Sequence, residues 1–459
     1  MSAVRRPVMA NPRPRTRPAR YAIAVVIAAV LVLVLIANSL LDYALLDSIA
    51  GRTSLFGLLA VALIAVATFI AVRVLDRDPA QRRRHAVRAA VLLGFATLLW
   101  LLVSDFFLFA RAAGPGVAAV CALACLPTTA FALLVVRRID RNEKEPWRLV
   151  LVAAAWGALV ATSLVIWGES FWQSIAVSTL VPGPGLDTAQ AFSAGLLEEL
   201  GKGTAVVLLF LVMRNEFDDV VDGIVYGAAV GLGFNFMESI TYMTNLYAIF
   251  TPENSGAAAA GFQWYARQVL GLFMGHATYT AYVGAGIGIA RQLPTPGKKV
   301  LAIVAGFVVA IAAHFSWDAW LTFFPIGTGA FVLIGVHLRT LLMTGPFTAG
   351  VIALLVMGLR NESAALATQL REEAATGSGA VLPQEVDILT HPWRRFLERY
   401  RALDRKGMAA YARVGRLQAA QLDLAMERWH RARQEIETPL EAEDELRREI
   451  LVLRRQAAF

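Results

Sequence analysis

The chain has 459 residues, 57% of them hydrophobic and 17% charged, against roughly 25% charged residues in an ordinary soluble protein. With a mean hydropathy of +0.56, this excludes a soluble globular enzyme. The net charge of +8 does not point to nucleic acid, because the basic residues are segregated before Tyr21, in short clusters between apolar runs, and after Leu359.

In chain order, residues 1–20 form a basic segment with Arg5, Arg6, Arg13, Arg15, Arg17 and Arg20, followed by an apolar run over 21–41. That run has the length of a membrane helix rather than a signal-peptide core, and no small-x-small cleavage site follows, so it reads as a retained first span. Further runs of spanning length lie at 55–74, 88–109, 117–136, 149–167, 190–213, 221–248, 264–290, 299–321 and 328–358. The expected fold is all-α, a polytopic membrane bundle of about ten transmembrane helices with a cytoplasmic helical tail. Basic loops at Arg82–Arg84, Arg137–Arg148, Arg214 and Arg291–Lys299 alternate with loops nearly free of Lys and Arg. This places both termini in the cytoplasm of a bacterial-type cell membrane. The chain divides into the basic segment 1–20, accessory transmembrane helices over 21–136, a core over 137–358, and a tail over 359–459. Cys121 and Cys125 lie one turn apart inside an apolar run and read as small core residues, not a disulfide framework.

The tail is rich in Arg, Glu, Gln, Leu and Ala with helical periodicity, and is broken at Gly377–Pro383 and Pro439. It reads as a few amphipathic helices, with a small bundle or a coiled-coil-like partner surface as one reading and a solvated helical appendage as the plainest. A cytoplasmic partner, or anionic lipid against Trp393, Arg394 and Arg395, is the functional one.

Ionisable side chains at bilayer depth cost several kcal/mol unless paired or wet, so each one marks a candidate site. The second half of the chain concentrates them: Glu198, Glu199 and Lys202 in the run 190–213, Glu238 in 221–248, His276 in 264–290, and His314 with Asp318 in 299–321. Given the expected topology and a rise of about 1.5 Å per residue, all fall at a similar depth in the outer half of the membrane. Glu198 with Lys202, Phe234 with Glu238, and His314 with Asp318 each share a helix face at i, i+4. Two adjacent carboxylates beside a lysine are a way to obtain a usable base near neutrality. Gly227 and Gly231, one turn apart, would let neighbouring helices approach closely around such a centre.

Glu198-Glu199-x-x-Lys202, Phe234-x-x-x-Glu238, His276 and His314-x-x-x-Asp318, in that order on successive membrane helices, resemble the PrsW-type intramembrane proteases, relatives of the prenyl-CAAX endopeptidases and bacteriocin-immunity membrane proteases. The stretch Asp140-Arg-Asn-Glu143-Lys-Glu145-Pro146-Trp before the run 149–167 is similar as well, and the resemblance extends over about 137–330. It implies peptide-bond hydrolysis in a membrane-protein substrate, such as an anti-sigma factor. Glu198 with Glu199 would activate water, Lys202 would hold the carboxylate pair, and Glu238 stands where the CAAX relatives carry a histidine. His276, His314 and Asp318 would bind a metal or form the oxyanion side, with Phe234, Gly227 and Gly231 packing around them. Zinc on two histidines and carboxylates, or histidines polarising the carbonyl without metal, are both compatible with these residues.

The structural alternative is a buried ion pair that locks helices together. The rival functions are a proton- or ion-coupled transporter, against which no internal repeat or matched pair of broken helices is seen, and a non-catalytic membrane scaffold. No nucleic-acid partner is expected.

Overall fold

The computed structural model describes residues 57–67, 79–141, 145–213, 217–323, 331–432 and 440–458, with isolated positions between 23 and 40 and residue 70. The basic segment 1–20, most of the expected span 21–41, and Pro439 lie outside the described residues. Among the described residues all regular structure is helical. Among the described residues six helices are long and apolar enough to cross a membrane, at Leu92–Ala113, Pro115–Ile139, Trp147–Val177, Val220–Glu253, Pro296–Trp320 and Phe331–Ala375. The protein is thus a multi-pass integral membrane protein.

The described residues form two compact units, one within 22–137 and 145–353, the other within 138–144 and 354–459. In the first, α1 (Pro79–Ala113) and α2 (Pro115–Ile139) precede α3, whose halves Trp147–Ala155 and Thr162–Thr179 are joined by a wide π turn at Trp156–Ala161. Then come α4 (Pro184–Val212), α5 (Val220–Phe250), α6 (Gly256–Tyr265), α7 (His276–Gln292), α8 (Pro296–Phe323) and α9 (Phe331–Arg339). Helix α10 (Gly345–Ala375) follows α9 through a second wide turn, Thr340–Thr344.

Helix α5 is the hub, buried along nearly its whole length. Its start is specified locally. The Asp219 carboxylate accepts hydrogen bonds from the Val221 and Asp222 amides, while Asp222 accepts from the Asp218 and Asp219 amides, so orphan donors of the first turn are satisfied reciprocally. Its packing depends on missing side chains. A Cβ on Gly223 would lie 2.1 Å from the Gly284 carbonyl oxygen, and one on Gly227 would lie 2.4 Å from that of Thr280. Helices α5 and α7 therefore touch backbone to backbone, the geometry that small residues permit in membranes.

The expected span 264–290 is not one helix. The chain leaves α6 through a wide turn at Ala266–Leu270, breaks between Gly271 and Gly275, and restarts at His276 as the seventeen-residue α7. Glycines at both ends of the break supply the backbone freedom, and a hydropathy run cannot register a break made of apolar residues. The run 328–358 is likewise interrupted by a wide turn and continues helically to Ala375.

The second unit contains α11 (Pro383–Thr390), α12 (Pro392–Ala432) and α13 (Leu440–Ala458) with the end of α10. It packs as a small helical bundle, one of the readings its periodicity allows. Leu366, Leu370, Val381, Leu389, Leu422 and Met426 form one core, and Leu417, Leu424, Leu446 and Ile450 another. Trp393 and Arg394 are exposed, whereas Arg395 is buried, donating to the Leu389 and Arg141 carbonyls. Glu373 is 1% exposed and accepts from Ser378 at 2.7 Å, Arg428 at 3.1 Å and Arg447 at 2.8 Å. Its hydrogen bonds hold the Arg447 guanidinium above the ordinary arginine value. Arg428 keeps Glu372 and Glu443 and Arg447 keeps Glu443 and Asp444, so Glu373→Leu should cost about 1–2 kcal/mol through the lost charge-assisted hydrogen bonds. Limited proteolysis of the full chain should show earlier cutting between residues 376 and 458; an unchanged digestion pattern would remove this carboxylate from the bundle's stability.

Candidate active site

Four helices of the first unit bring the acid and histidine side chains together. On α4, Glu198, Glu199 and Lys202 share one face by their i, i+3 and i, i+4 spacing, and all three are buried. The Lys202 ammonium lies 3.0 Å from Glu198 Oε2, 2.6 Å from Glu199 Oε1 and 3.0 Å from His276 Nδ1. It also sits 4.3 Å from the centre of the Phe234 ring, which α5 presents to it. Because an ammonium has donors only, His276 Nδ1 must accept, which leaves the proton on Nε2. That nitrogen meets Glu238 Oε2 at 2.5 Å, and the same carboxylate oxygen accepts from Arg267 at 2.7 Å. On α8, His314 Nδ1 is 3.1 Å from Glu199 Oε1, while Nε2 lies 3.3 Å from Asp318 and 3.6 Å from Glu198.

The two adjacent glutamates occupy different environments. Glu199 is 0% exposed, with its oxygens engaged by Lys202, by His314 and, at 3.0 Å, by the Thr280 hydroxyl. Its coordination is nearly saturated, as in a carboxylate that orients its neighbours. Glu198 instead lines a cavity of about 690 Å³ together with Glu169, Glu238, His314 and Asp318. The cavity is also walled by Gln173, Gln190 and Asn245, so it suits water and an extended polypeptide rather than a lipid tail. The structure thus brings Glu198, Glu199, Lys202, Glu238, His276, His314 and Asp318 into one cluster, with Asp318 half-buried at the cavity side. Gly231 and Gly227 back α7 just where it carries His276 and Thr280.

Residues 145–371 match the family described as PrsW family intramembrane metalloprotease. The core of the chain is PrsW-like. It is also similar to a protein named Protease PrsW from Geobacillus kaustophilus (strain HTA426), 38% identical over 105 residues, which make up 23% of this chain and 43% of that relative. The chain thus matches less than half the length of this curated relative. No solved structure matches the chain. All residues of the acid and histidine cluster fall inside the matched PrsW-like segment.

The PrsW-like core holds further polar residues that the sequence reading passed over. Arg267 pins Glu238 and lies against the Tyr242 ring at 3.8 Å. Arg339 lines a second cavity beside His276 and His314, and donates to the Trp317 carbonyl. Glu169 faces the first cavity, with one buried oxygen lacking a hydrogen-bond partner. The signal for the two arginines was available, since each is a charged residue inside an apolar run.

The donor chemistry fits a divalent cation. Glu198, Glu199, His276 and His314 each offer one ligand atom, all within 4.8 Å of one another and all buried. Two imidazoles and two carboxylates form a set that zinc accepts. The Lys202 ammonium already contacts three of these four groups, so lysine and metal would share the same carboxylates. A metal held there would supply Lewis-acid polarisation of a carbonyl and acidification of water.

Proposed function

We propose that this protein is an intramembrane protease whose PrsW-like core cleaves membrane-protein substrates in the cavity bounded by Glu198, Glu238, His314 and Asp318. The observation that carries this reading is the convergence of the Glu169, Glu198, Glu238 and Asp318 carboxylates and the His314 imidazole, from four helices, on one water-compatible cavity inside an apolar bundle. The family match supports it over a transporter or a silent scaffold.

In this reading Glu198 takes a proton from water in the cavity, because it is the glutamate of the pair that reaches the cavity while keeping the Lys202 contact. Glu199 acts as a positioning residue, holding Lys202 and His314. His314, with Nδ1 directed at Glu199, turns Nε2 toward the cavity side, where it stabilises charge developing on the scissile carbonyl. Glu238 and Arg267 fix the orientation of His276. Zinc is the ion we assign to His276, His314 and Glu199; held there it, rather than His314, would polarise the scissile carbonyl and leave Glu198 as the base. A helical peptide bond is shielded, so the substrate must unwind at the cavity.

The charge pattern of the loops supports about ten spans, cytoplasmic termini and a cytoplasmic tail over 359–459. We divide the rest of the chain into the basic segment 1–20, accessory helices over 21–136 and the protease core over 137–358. That topology sets the cut near the outer end of the substrate's helix. A regulatory membrane protein such as an anti-sigma factor is the substrate class this suggests.

Co-expression of a single-span candidate substrate should yield cleaved product with the unaltered protein and none with Glu198→Ala or His314→Ala, and mass spectrometry of the new termini should place the cut on the outer side. Cleavage that persists in both variants would overturn the site. A cut on the cytoplasmic side would overturn the topology while leaving the chemistry intact.

A further inference from the structure

The second unit contains a basic cavity unrelated to the acid and histidine cluster. Its volume is about 390 Å³, and Arg138, Arg141, Arg395 and Arg399 line it against a single carboxylate, Asp140, with Tyr411 and Phe396 completing the wall. Arg138 lies in the last turn of the membrane-spanning α2, and Arg141 follows two residues after its end. At about 1.5 Å per residue, these two guanidinium-bearing positions stay within roughly 5 Å of the end of a span, at the level of lipid headgroups.

The facing wall comes from α12. Arg395 is 4% exposed and fixed by hydrogen bonds to the Leu389 carbonyl at 2.8 Å and the Arg141 carbonyl at 3.0 Å. Arg399 Nε donates to Gln418 at 2.7 Å. Burial, then the adjacent Arg399 charge, push the Arg395 guanidinium down to about 10. The carboxylates of Glu362 and Asp140 act in the opposite sense, and the guanidinium stays protonated at neutral pH.

A second observation concerns the surface beside the cavity. Trp393, Phe396 and Tyr400 are 66%, 44% and 54% exposed, and stack in sequence with ring centres 5.3 and 6.2 Å apart. Three large rings at i, i+3 and i+7 with exposed Arg394 among them make an amphipathic ridge of the kind that seats in a membrane interface.

We infer that this cavity binds the phosphate headgroup of an anionic phospholipid, with the ridge of Trp393, Phe396 and Tyr400 lying among the glycerol and upper acyl groups. Arginines match phosphate oxygens with paired, charge-assisted hydrogen bonds. A zwitterionic lipid brings a cation of its own against a lining of four arginines and one carboxylate, and is disfavoured. Because no lining residue belongs to the acid and histidine cluster, the inference stands apart from the protease reading.

Native mass spectrometry of the full-length protein in detergent, titrated with phosphatidylglycerol or phosphatidylcholine, tests it. Phosphatidylglycerol should be retained about tenfold more tightly. The double variant Arg138→Gln/Arg141→Gln changes two exposed side chains and leaves the Arg141 carbonyl in place. It should lose about tenfold in phosphatidylglycerol retention, whereas Arg405→Gln, an exposed arginine elsewhere on α12, should lose none. Equal retention of the two lipids, or a double variant that binds like the unaltered protein, would overturn the site. Complete displacement of the lipid by millimolar inorganic phosphate would overturn the assignment to lipid in favour of a soluble phosphate. The comparison of lipids uses the unaltered protein, so it remains decisive if a variant fails to fold.

Discussion

Lys202→Met should abolish proteolysis, lower the unfolding midpoint in detergent and strengthen divalent-cation binding at the same site. The ammonium is fully buried and within 3.0 Å of Glu198, Glu199 and His276, so its removal leaves the buried Glu199 and the cavity-lining Glu198 without their main compensating charge. Breaking a buried ion pair from one side costs about 3–5 kcal/mol. Activity should fall further than stability, because the lysine sets the direction of both Glu198 and the His276 ring. The sign for metal is opposite. Removing a positive charge from the middle of a donor set raises its affinity for a cation, here by about tenfold or more. Equilibrium dialysis against zinc followed by metal analysis reads the change directly. If the variant and the unaltered protein take up zinc alike, the four-donor cluster is not where the ion binds. If the variant is folded and still cleaves, Lys202 is not required to hold the carboxylate pair.

Zinc binding and lysine pairing would be linked in this way, because the two cations would address the same oxygens. That linkage was not legible in the sequence, although its components were. Glu198, Glu199 and Lys202 stand out because charged residues inside an apolar run violate the bilayer's solvation rule, and their spacing already placed them on one face. His276, His314 and Asp318 stand out for the same reason. What the sequence did not reveal is which neighbour each side chain meets. The different surroundings of Glu198 and Glu199 arise from α7 and α8, whose Thr280 and His314 saturate one carboxylate and leave the other at the cavity. Glu169 was missed because it lies two residues beyond the apolar run 149–167, where a carboxylate looks like an ordinary helix end. The break at Gly271–Gly275 was missed because its residues are apolar, and periodicity cannot distinguish a bent apolar stretch from a straight one.

The same backbone contact that holds α7 against α5 makes Gly231 a sensitive packing position beside His276. A Cβ there would stand 2.2 Å from the His276 carbonyl oxygen and 2.5 Å from its carbonyl carbon. Both lie on the backbone, so no rotamer change relieves the clash and the two helices must separate. Overpacking of this kind costs about 3 kcal/mol. Gly231→Val should therefore lower the unfolding midpoint strongly, with Gly231→Ala between it and the unaltered protein. Gly94, which lies in α1 with nothing within 4 Å of an added Cβ, provides the control. Gly94→Ala should be neutral or stabilising by up to about 1 kcal/mol, as expected for glycine replaced by alanine in a helix. The displacement also moves His276 at the start of α7 away from Lys202 and Glu238, and a shift of about 1 Å at a catalytic constellation costs up to about a hundredfold in rate. Cleavage by Gly231→Ala, the milder variant, should thus drop by more than its loss of folded protein explains. Equal fractional losses of fold and activity would confine Gly231 to packing, and an unchanged unfolding midpoint for Gly231→Val would contradict the backbone contact between α5 and α7.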